Sequence, residues 1–377
     1  VQLDAVACEH ILDLCKKTPL FAKNEAFENL VGKGIEPIPA PVTDRYLQAV
    51  LALAKDSKAK HTKVVYTPLN GAGYQMVPKV LETLGADFVV VKEQGYPDGN
   101  FATCPYPNPE KKEALVLGME YAKKHGADIL VATDPDCDRV GVAVLHKGSY
   151  TQITGNEFGV LLVDYLLSIK SIKNPIVVRS IVSTSLVDEM IRKVGGTVIC
   201  VPTGFRYIGD LVQKMSDADK ARFVLGFEES CGYLAGLSVR DKDAVEASML
   251  AVLMVEHYKQ QGQTLLDVLD GLYQEYGRFV HITKSYEFAG SKGRDTMQNL
   301  LASLRSETPD FGDAVVRCKD YLQSTPSLNM IEYDLANGNK VIVRPSGTEP
   351  QIKAYITLVG QGEQQKVLEK VDKAMKK

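Results

Sequence analysis

The sequence predicts an α/β fold: two successive βαβ-type mixed-sheet domains, residues 1–150 and 151–272, followed by a smaller α+β C-terminal domain, 273–377. Three observations point there. Short β-branched runs alternate with helical stretches of about 10–15 residues, the mark of βαβ units. A second cycle of the same alternation begins near residue 151. Over the last hundred residues strands follow one another directly, which marks an antiparallel α+β unit. A length of 377 residues holds two or three such units at roughly 150 residues each.

Taken in order, residues 63–68 (KVVYTP) read as a short buried strand. Residues 74–84 carry apolar side chains three or four apart, Gly85 stops them, and 86–91 is another β-branched run. A helix at 110–125 and strands at 128–133 (DILVAT) and 140–145 (VGVAVL) complete the first cycle. The second runs helix 157–168, strand 176–181, helix 186–194, strand 197–201, helix 205–215, strand 223–227 and a long helix 244–260. In the third unit strands at 279–288, 314–321, 330–335, 340–343 and 352–359 are joined by helices near 294–305 and 364–375. The Asn-Gly pair in loop 334–339 is a hairpin signal. The chain opens on Val1, not Met, directly into a helical pattern (Ala5, Cys8, Ile11, Leu12), so we expect a longer parent protein.

Composition narrows the function classes. Hydrophobic residues make up 45% and charged residues 24%, a globular balance. Acidic groups outnumber basic ones 47 to 44, for a net charge of −3, whereas a phosphate-backbone binder needs a basic excess; no nucleic-acid partner is expected. The seven cysteines are an odd number, widely spaced, with no C-x-x-C pair, which is how a reduced cytoplasmic protein uses cysteine. No run of 18 apolar residues and no signal-peptide pattern occurs, so no membrane partner is expected either.

Three loops carry candidate chemistry. The first, DPDCDR, follows the strand DILVAT and places Asp134, Asp136 and Asp138 at alternate positions. The C-terminal end of a parallel strand is where α/β folds bind ligands. Three crowded anions repel unless a cation joins them, and all-oxygen donors favour Mg²⁺ over zinc or copper. An EF-hand needs Gly at the sixth position and Glu at the twelfth; Arg139 and Leu145 stand there. A solvated acidic turn is the bland alternative.

The second loop, GFEESCGY (226–233), offers the carboxylate of Glu228 and the hydroxyl of Ser230 between glycines that admit close approach. A helix cap with a tight turn is the bland alternative. Ten residues on, Arg240-Asp241-Lys242-Asp243 precedes an apolar helix; an N-cap accounts for Asp243 but not for Lys242. The third loop, RPSGTEP, combines Arg344 with Ser346, Gly347 and Thr348 in a candidate anion nest, against a plain Pro/Gly turn. Thr203-Gly204-Phe205-Arg206 at a helix start is a weaker phosphate candidate. Asn70-Gly71-Ala72-Gly73 lacks the third glycine of a dinucleotide fingerprint, Met76 standing in its place, and reads as a turn. No histidine lies in these loops, and neither a nucleophile elbow nor a P-loop occurs.

These loops, in this order, resemble the α-D-phosphohexomutase family, and most closely its phosphoglucomutase/phosphomannomutase branch. DPDCDR looks like the metal loop, GFEESCGY the sugar-recognition loop, TGFR a phosphate contact and RPSGTEP the C-terminal phosphate loop. The resemblance covers nearly the whole chain as the family's second to fourth domains. It implies Mg²⁺ on Asp134, Asp136 and Asp138, and Arg139 and Lys242 beside the transferring phosphoryl group. It further implies Glu228 and Ser230 on sugar hydroxyls, and phosphate contacts from Thr203, Gly204, Arg206, Arg344, Ser346, Gly347 and Thr348. The family's substrate is a hexose phosphate and its intermediate a hexose bisphosphate, formed through a phosphoserine in a T-A-S-H-N-P-like loop of a first domain. No such loop occurs here, so the resemblance implies that the N-terminal domain is missing and the chain alone inactive. Phosphopentomutase, phosphomannomutase and a non-catalytic sugar-phosphate-binding module are the competing readings.

Overall fold

The computed structural model describes residues 5–21, 23, 26–33, 35–290, 292–325, 327–346, 350–360 and 364–376. The first sheet contains β1 (Lys63–Thr67), β2 (Asp87–Val90), β3 (Ile129–Thr133), β4 (Val140–His146) and β5 (Ser149–Ile153), in the order β2-β1-β3-β4-β5. The β2, β1 and β3 strands run parallel, and β4 and β5 return antiparallel. Helices α1 (Ala5–Lys17), α2 (Phe27–Leu30) and α3 (Ala40–Ala52) precede this sheet, and α4 (Met76–Leu84) and α5 (Lys112–His125) are the crossovers. All five residues of β3 are buried, as an unbroken apolar run demands of a strand covered on both faces.

The second sheet contains β6 (Ile176–Ser180), β7 (Thr197–Val201), β8 (Phe223–Glu228) and β9 (Gly232–Leu234), in the order β7-β6-β8-β9. Only the β8–β9 pair is antiparallel. Around it lie α6 (Gly155–Ile169), α7 (Leu186–Lys193), α8 (Phe205–Lys214), α9 (Asp217–Lys220), α10 (Ala244–Lys259) and α11 (Leu265–Tyr276). The third sheet is antiparallel throughout: β10 (Phe279–Glu287), β11 (Val315–Asp320), β12 (Ile331–Leu335), β13 (Lys340–Pro345) and β14 (Gln351–Val359), ordered β10-β14-β13-β12-β11. Helices α12 (Gly293–Ser306) and α13 (Gln364–Met375) accompany it. Two mixed sheets followed by an antiparallel one is the architecture the alternation of elements implied.

Helix α10 explains how the first two sheets are held together. It is buried around nearly its whole circumference, from Ala244 to Tyr258. A helix that is apolar all round must be covered on every side. It packs against α4, α6, β3 and β4, so both sheets drain into one continuous core. The third sheet keeps its own core beneath α12 and α13. A smaller apolar patch, Val182 with Tyr321, Met330, Ile342 and Tyr355, joins it to the loop after β6.

Six elements have no counterpart in the sequence expectations: the four-residue helices α2 and α9, and α3, β5, β9 and α11. The β5 strand (SYTQI) is an edge strand with Ser149 and Thr151 exposed, so it carries little apolar signal. The β9 strand is three residues long. Helix α11 shows the usual spacing at Leu265, Val268, Leu269 and Leu272 and is closed by a Thr264–Asp267 capping box. The helix expected from residue 74 starts at Met76, after a 3₁₀ turn at Ala72–Tyr74. At the N-terminus α1 forms, but Ile11 and Leu12 stay exposed.

Glu246, in the first turn of α10, is buried and accepts the amides of Ala235 and Gly236. Burial, reinforced by Asp243, pushes its carboxyl up to about 8. The folded protein therefore keeps a proton that the unfolded chain releases near 4.5. Stability is fullest below the unfolded value and falls as pH rises through the folded one. Chemical denaturation of the wild type between pH 6 and pH 9 should show a loss of about 2 kcal/mol. Glu246→Gln stays neutral and should flatten that slope; an equally steep loss in the variant contradicts the assignment.

Candidate active site

The DPDCDR loop is a hairpin turn. After Thr133 the chain reverses through residues 134–139 into β4, with the Asp134 amide donating to the Arg139 carbonyl (3.2 Å). Asp134 is fully buried, and its Oδ1 accepts the amides of Asp138 (3.1 Å) and Arg139 (2.9 Å). Its Oδ2 lies 2.6 Å from Arg139 Nε. Asp138 is half-buried, with Lys242 Nζ 2.7 Å from Oδ2 and Arg139 Nε 3.7 Å from Oδ1. Asp136 is exposed. One oxygen from each of the three carboxylates falls within 4.8 Å of the others.

That donor set fits a hard divalent cation: three carboxylate oxygens, no sulfur and no imidazole. The electrostatics fit as well. Burial pushes Asp134 up to about 6; Arg139 opposes this, while Asp138 and Asp136 add to it. Three negative groups meet two cations, Arg139 and Lys242, so the cluster has an uncompensated charge for an ion to neutralise. Burial works against the charge on Lys242, but Asp138 outweighs it and holds the ammonium above its ordinary value.

Close packing fixes the loop from two sides. Gly71, in the Asn70 turn, lies against Pro135; a Cβ there would sit 2.3 Å from Pro135 Cα. Only glycine admits that approach. The Ala72 amide donates to the Pro135 carbonyl (2.7 Å). The turn expected at Asn70–Gly73 is thus a turn, and it packs against and hydrogen-bonds the DPDCDR loop. On the other side the Val140 amide donates to the Cys231 carbonyl (3.0 Å), and Arg139 bridges Gly232. The DPDCDR hairpin of the first sheet and the GFEESCGY hairpin of the second are therefore edge to edge.

GFEESCGY is not a loop after a strand. Gly226 to Glu228 finish β8, Gly232 begins β9, and only Glu229, Ser230 and Cys231 form the turn, Cys231 with φ 66°. Glu228 pairs with Gly232 across the hairpin. Its Oε1 accepts the Gly204 amide (2.6 Å), so the TGFR segment meets the GFEESCGY hairpin through Glu228. Burial raises the Glu228 carboxyl, and the Gly204 amide and the charges of Lys242 and Arg344 act the other way. Ser230 is half-buried beside it. The Thr203 hydroxyl is enclosed with no hydrogen-bond partner. Arg206 is exposed, its guanidinium 4.9 Å from the Tyr207 ring centroid and donating to the Tyr207 hydroxyl.

Lys242 is held by its stem. It passes over Gly232, where a Cβ would meet Lys242 Cδ at 2.3 Å, and its Nζ stands 5.4 Å from the Phe205 ring centroid. The next residue, Asp243, caps α10 by accepting the amides of Val245 (2.9 Å) and Glu246 (3.2 Å). Both Asp243 oxygens also accept the Tyr46 hydroxyl, at 2.9 and 2.8 Å. Tyr46, from α3, has no motif around it, and nothing in the sequence pointed to this brace.

In the third sheet Arg344 lies next to the end of β13, opposite Lys353, and the Ser346 amide donates to the Gln351 carbonyl (2.7 Å). Gly347 and Thr348 lie outside the described residues. The structure thus gathers Asp134, Asp136, Asp138, Arg139 and Lys242 in one cluster and joins Glu228 to Gly204, with Lys242 and Arg344 both within electrostatic reach of Glu228. Glu110 is a further charge the motifs did not single out. Its carbonyl accepts from Gln152 Nε2 (3.1 Å); burial works against the charge on Arg139, and Asp134 first, with Glu110 adding to it, holds the guanidinium above its ordinary value.

Residues 44–148 match the family model described as phosphoglucomutase/phosphomannomutase, alpha/beta/alpha domain II, and residues 154–276 match domain III. Together the matches span more than half the chain. This chain belongs to the phosphoglucomutase/phosphomannomutase family. A phosphomannomutase of Mycoplasmoides pirum is 33% identical over 309 residues, covering 81% of this chain and 56% of its own length. A phosphoglucomutase of Staphylococcus aureus is 33% identical over 343 residues, covering 86% and 62% respectively. The chain therefore spans less than two thirds of these relatives. A solved phosphoglucomutase/phosphomannomutase family protein from Burkholderia thailandensis superposes with a TM-score of 0.66 at 18% identity, over 89% of this chain and 64% of that one. That likeness establishes the α-D-phosphohexomutase fold. No helix among the described residues is long and apolar enough to cross a membrane.

Proposed function

We propose that the complete protein is a Mg²⁺-dependent cytoplasmic phosphoglucomutase that interconverts glucose 1-phosphate and glucose 6-phosphate through a bisphosphorylated sugar. The observation that carries this reading is the convergence of the Asp134–Asp138 cluster with Lys242 and Glu228 at the meeting of two hairpins. In this reading residues 1–150, 151–272 and 273–377 act as the metal, sugar and distal-phosphate units. Asp134, Asp136 and Asp138 hold the cation, which supplies positive charge against a transferring phosphoryl group. Arg139 and Lys242, already tied to Asp134 and Asp138, present further charge to the same oxygens. Glu228 and Ser230 accept from and donate to sugar hydroxyls. Arg344 and Ser346, with Thr203, Gly204, Arg206, Gly347 and Thr348, take the phosphate that is not reacting.

The phosphoryl donor in this proposal is a phosphoserine outside these 377 residues, since the sequence holds no T-A-S-H-N-P-like loop. It gives its phosphoryl group to the free sugar hydroxyl, and the other phosphate of the bisphosphate returns to it. The test is turnover of glucose, mannose and ribose 1-phosphates by the product of the complete gene and by the 377-residue chain. The proposal expects the complete product to favour glucose 1-phosphate and the chain to turn over none. A preference for mannose or ribose would reassign the substrate. Turnover by the chain alone would overturn the external serine.

A further inference from the structure

Glu229 is placed differently from its neighbours Glu228 and Ser230. It closes a ring of hydrogen bonds with two buried serines, Ser180 at the end of β6 and Ser183 in the loop that follows. The Glu229 amide donates to Ser183 Oγ (3.1 Å), the Ser183 and Ser180 hydroxyls are 2.8 Å apart, and Ser180 Oγ donates to Glu229 Oε2 (3.2 Å). Each hydroxyl has one proton to give. With Ser183 donating to Ser180, every donor in the ring has an acceptor, and the carboxylate receives the last bond. Ser183 Oγ also lies 3.4 Å from Oε2.

The same segment bears on the third sheet. Between the two serines, Val182 is buried against Ile342 and Tyr355. Ile342 lies two residues before Arg344 on β13. On the opposite side the Glu229 carbonyl abuts the N-terminus of α6, where a Cβ on Gly155 would overlap it at 2.0 Å. The Gly155 carbonyl accepts the Tyr233 hydroxyl (2.8 Å). The turn carrying Glu228 and Ser230 is thus clamped between α6 and a loop that shares an apolar cluster with β13, the strand that carries Arg344.

We propose that Glu229, through Ser180 and Ser183, is a positioning residue that fixes the Glu228–Ser230 turn relative to the Arg344 strand, setting the separation at which sugar and distal phosphate are gripped. This rests on the sugar-phosphate reading above and adds to it a residue that touches neither substrate nor metal. A hexose phosphate spans both grips and senses their separation. Inorganic phosphate occupies one grip and does not.

The test uses the product of the complete gene, assayed with Mg²⁺, glucose 1-phosphate and a glucose 1,6-bisphosphate primer, with Glu229→Ala, Glu229→Gln and Ser183→Ala. Glu229→Ala should raise KM about tenfold, in the range typical of residues that orient a site from behind, with kcat within about threefold. Inhibition by inorganic phosphate should be unchanged. Glu229→Gln keeps an oxygen for the Ser180 hydroxyl and should restore KM to within about threefold of wild type. Ser183→Ala leaves the Glu229 amide unpaired and should follow Glu229→Ala, which covers the case in which that variant does not fold. An unchanged KM in Glu229→Ala and Ser183→Ala, or an equal loss of phosphate inhibition, overturns the proposal. Wild-type protein inactive on glucose, mannose and ribose 1-phosphates instead overturns the functional reading beneath it.

Discussion

Asp136→Asn should weaken Mg²⁺ binding by about a hundredfold and lower turnover of glucose 1-phosphate by about a thousandfold, with the fold intact. The separation of these effects follows from burial. Asp134 is enclosed and holds two backbone amides, so its loss would disturb the turn itself. Asp136 is exposed. Replacing its carboxylate by an amide removes one of three anionic donors and leaves the hairpin's own hydrogen bonds in place. A metal's stabilisation of transferring phosphoryl charge is worth several kcal/mol, and each 1.36 kcal/mol is about tenfold in rate. Calorimetric titration with Mg²⁺ and steady-state kinetics on the complete gene product read both numbers. Wild-type Mg²⁺ affinity in the variant would remove Asp136 from the donor set.

Lys242→Met should lower turnover by about a hundredfold to a thousandfold, the usual effect of removing one charged donor from a developing anion. Its effect on the metal should have the opposite sign. Methionine keeps an apolar stem over Gly232 and the Phe205 ring, so packing is preserved. Asp138 then loses its 2.7 Å ammonium partner. With a competing cation gone, Mg²⁺ should bind as tightly as in wild type or tighter. Loss of turnover and of Mg²⁺ affinity together would mean that Lys242 holds the loop together and does not act on phosphate.

Much of this site was legible before the fold. Asp134, Asp136 and Asp138 follow a five-residue apolar strand, and that strand is buried on both faces with the carboxylates at its end. Alternate spacing and strand context are local signals, and local signals survive in sequence. The hairpin at Asn337-Gly338 was legible for the same reason, Gly338 taking φ 84° in the turn. What the sequence concealed is contact between distant segments. Tyr46 reaches Asp243 across 197 residues, and Ser183 reaches Glu229 across 46. A tyrosine in a helix and serines after a strand are among the commonest placements for those residues. Gly71 was visible as a turn, but its closeness to Pro135 depends on how two loops of one sheet meet. The single core around α10 was hidden in the same way: its apolar run announces burial, not which sheets cover it.

The most direct test is a crystal of the 377-residue chain soaked with Mn²⁺ and glucose 1,6-bisphosphate, examined by anomalous diffraction. The account predicts one strong peak bounded by carboxylate oxygens of Asp134, Asp136 and Asp138, with one sugar phosphate beside Lys242 and the other beside Arg344. Manganese bound elsewhere, or those three carboxylates left without a peak while the sugar is bound, would contradict it.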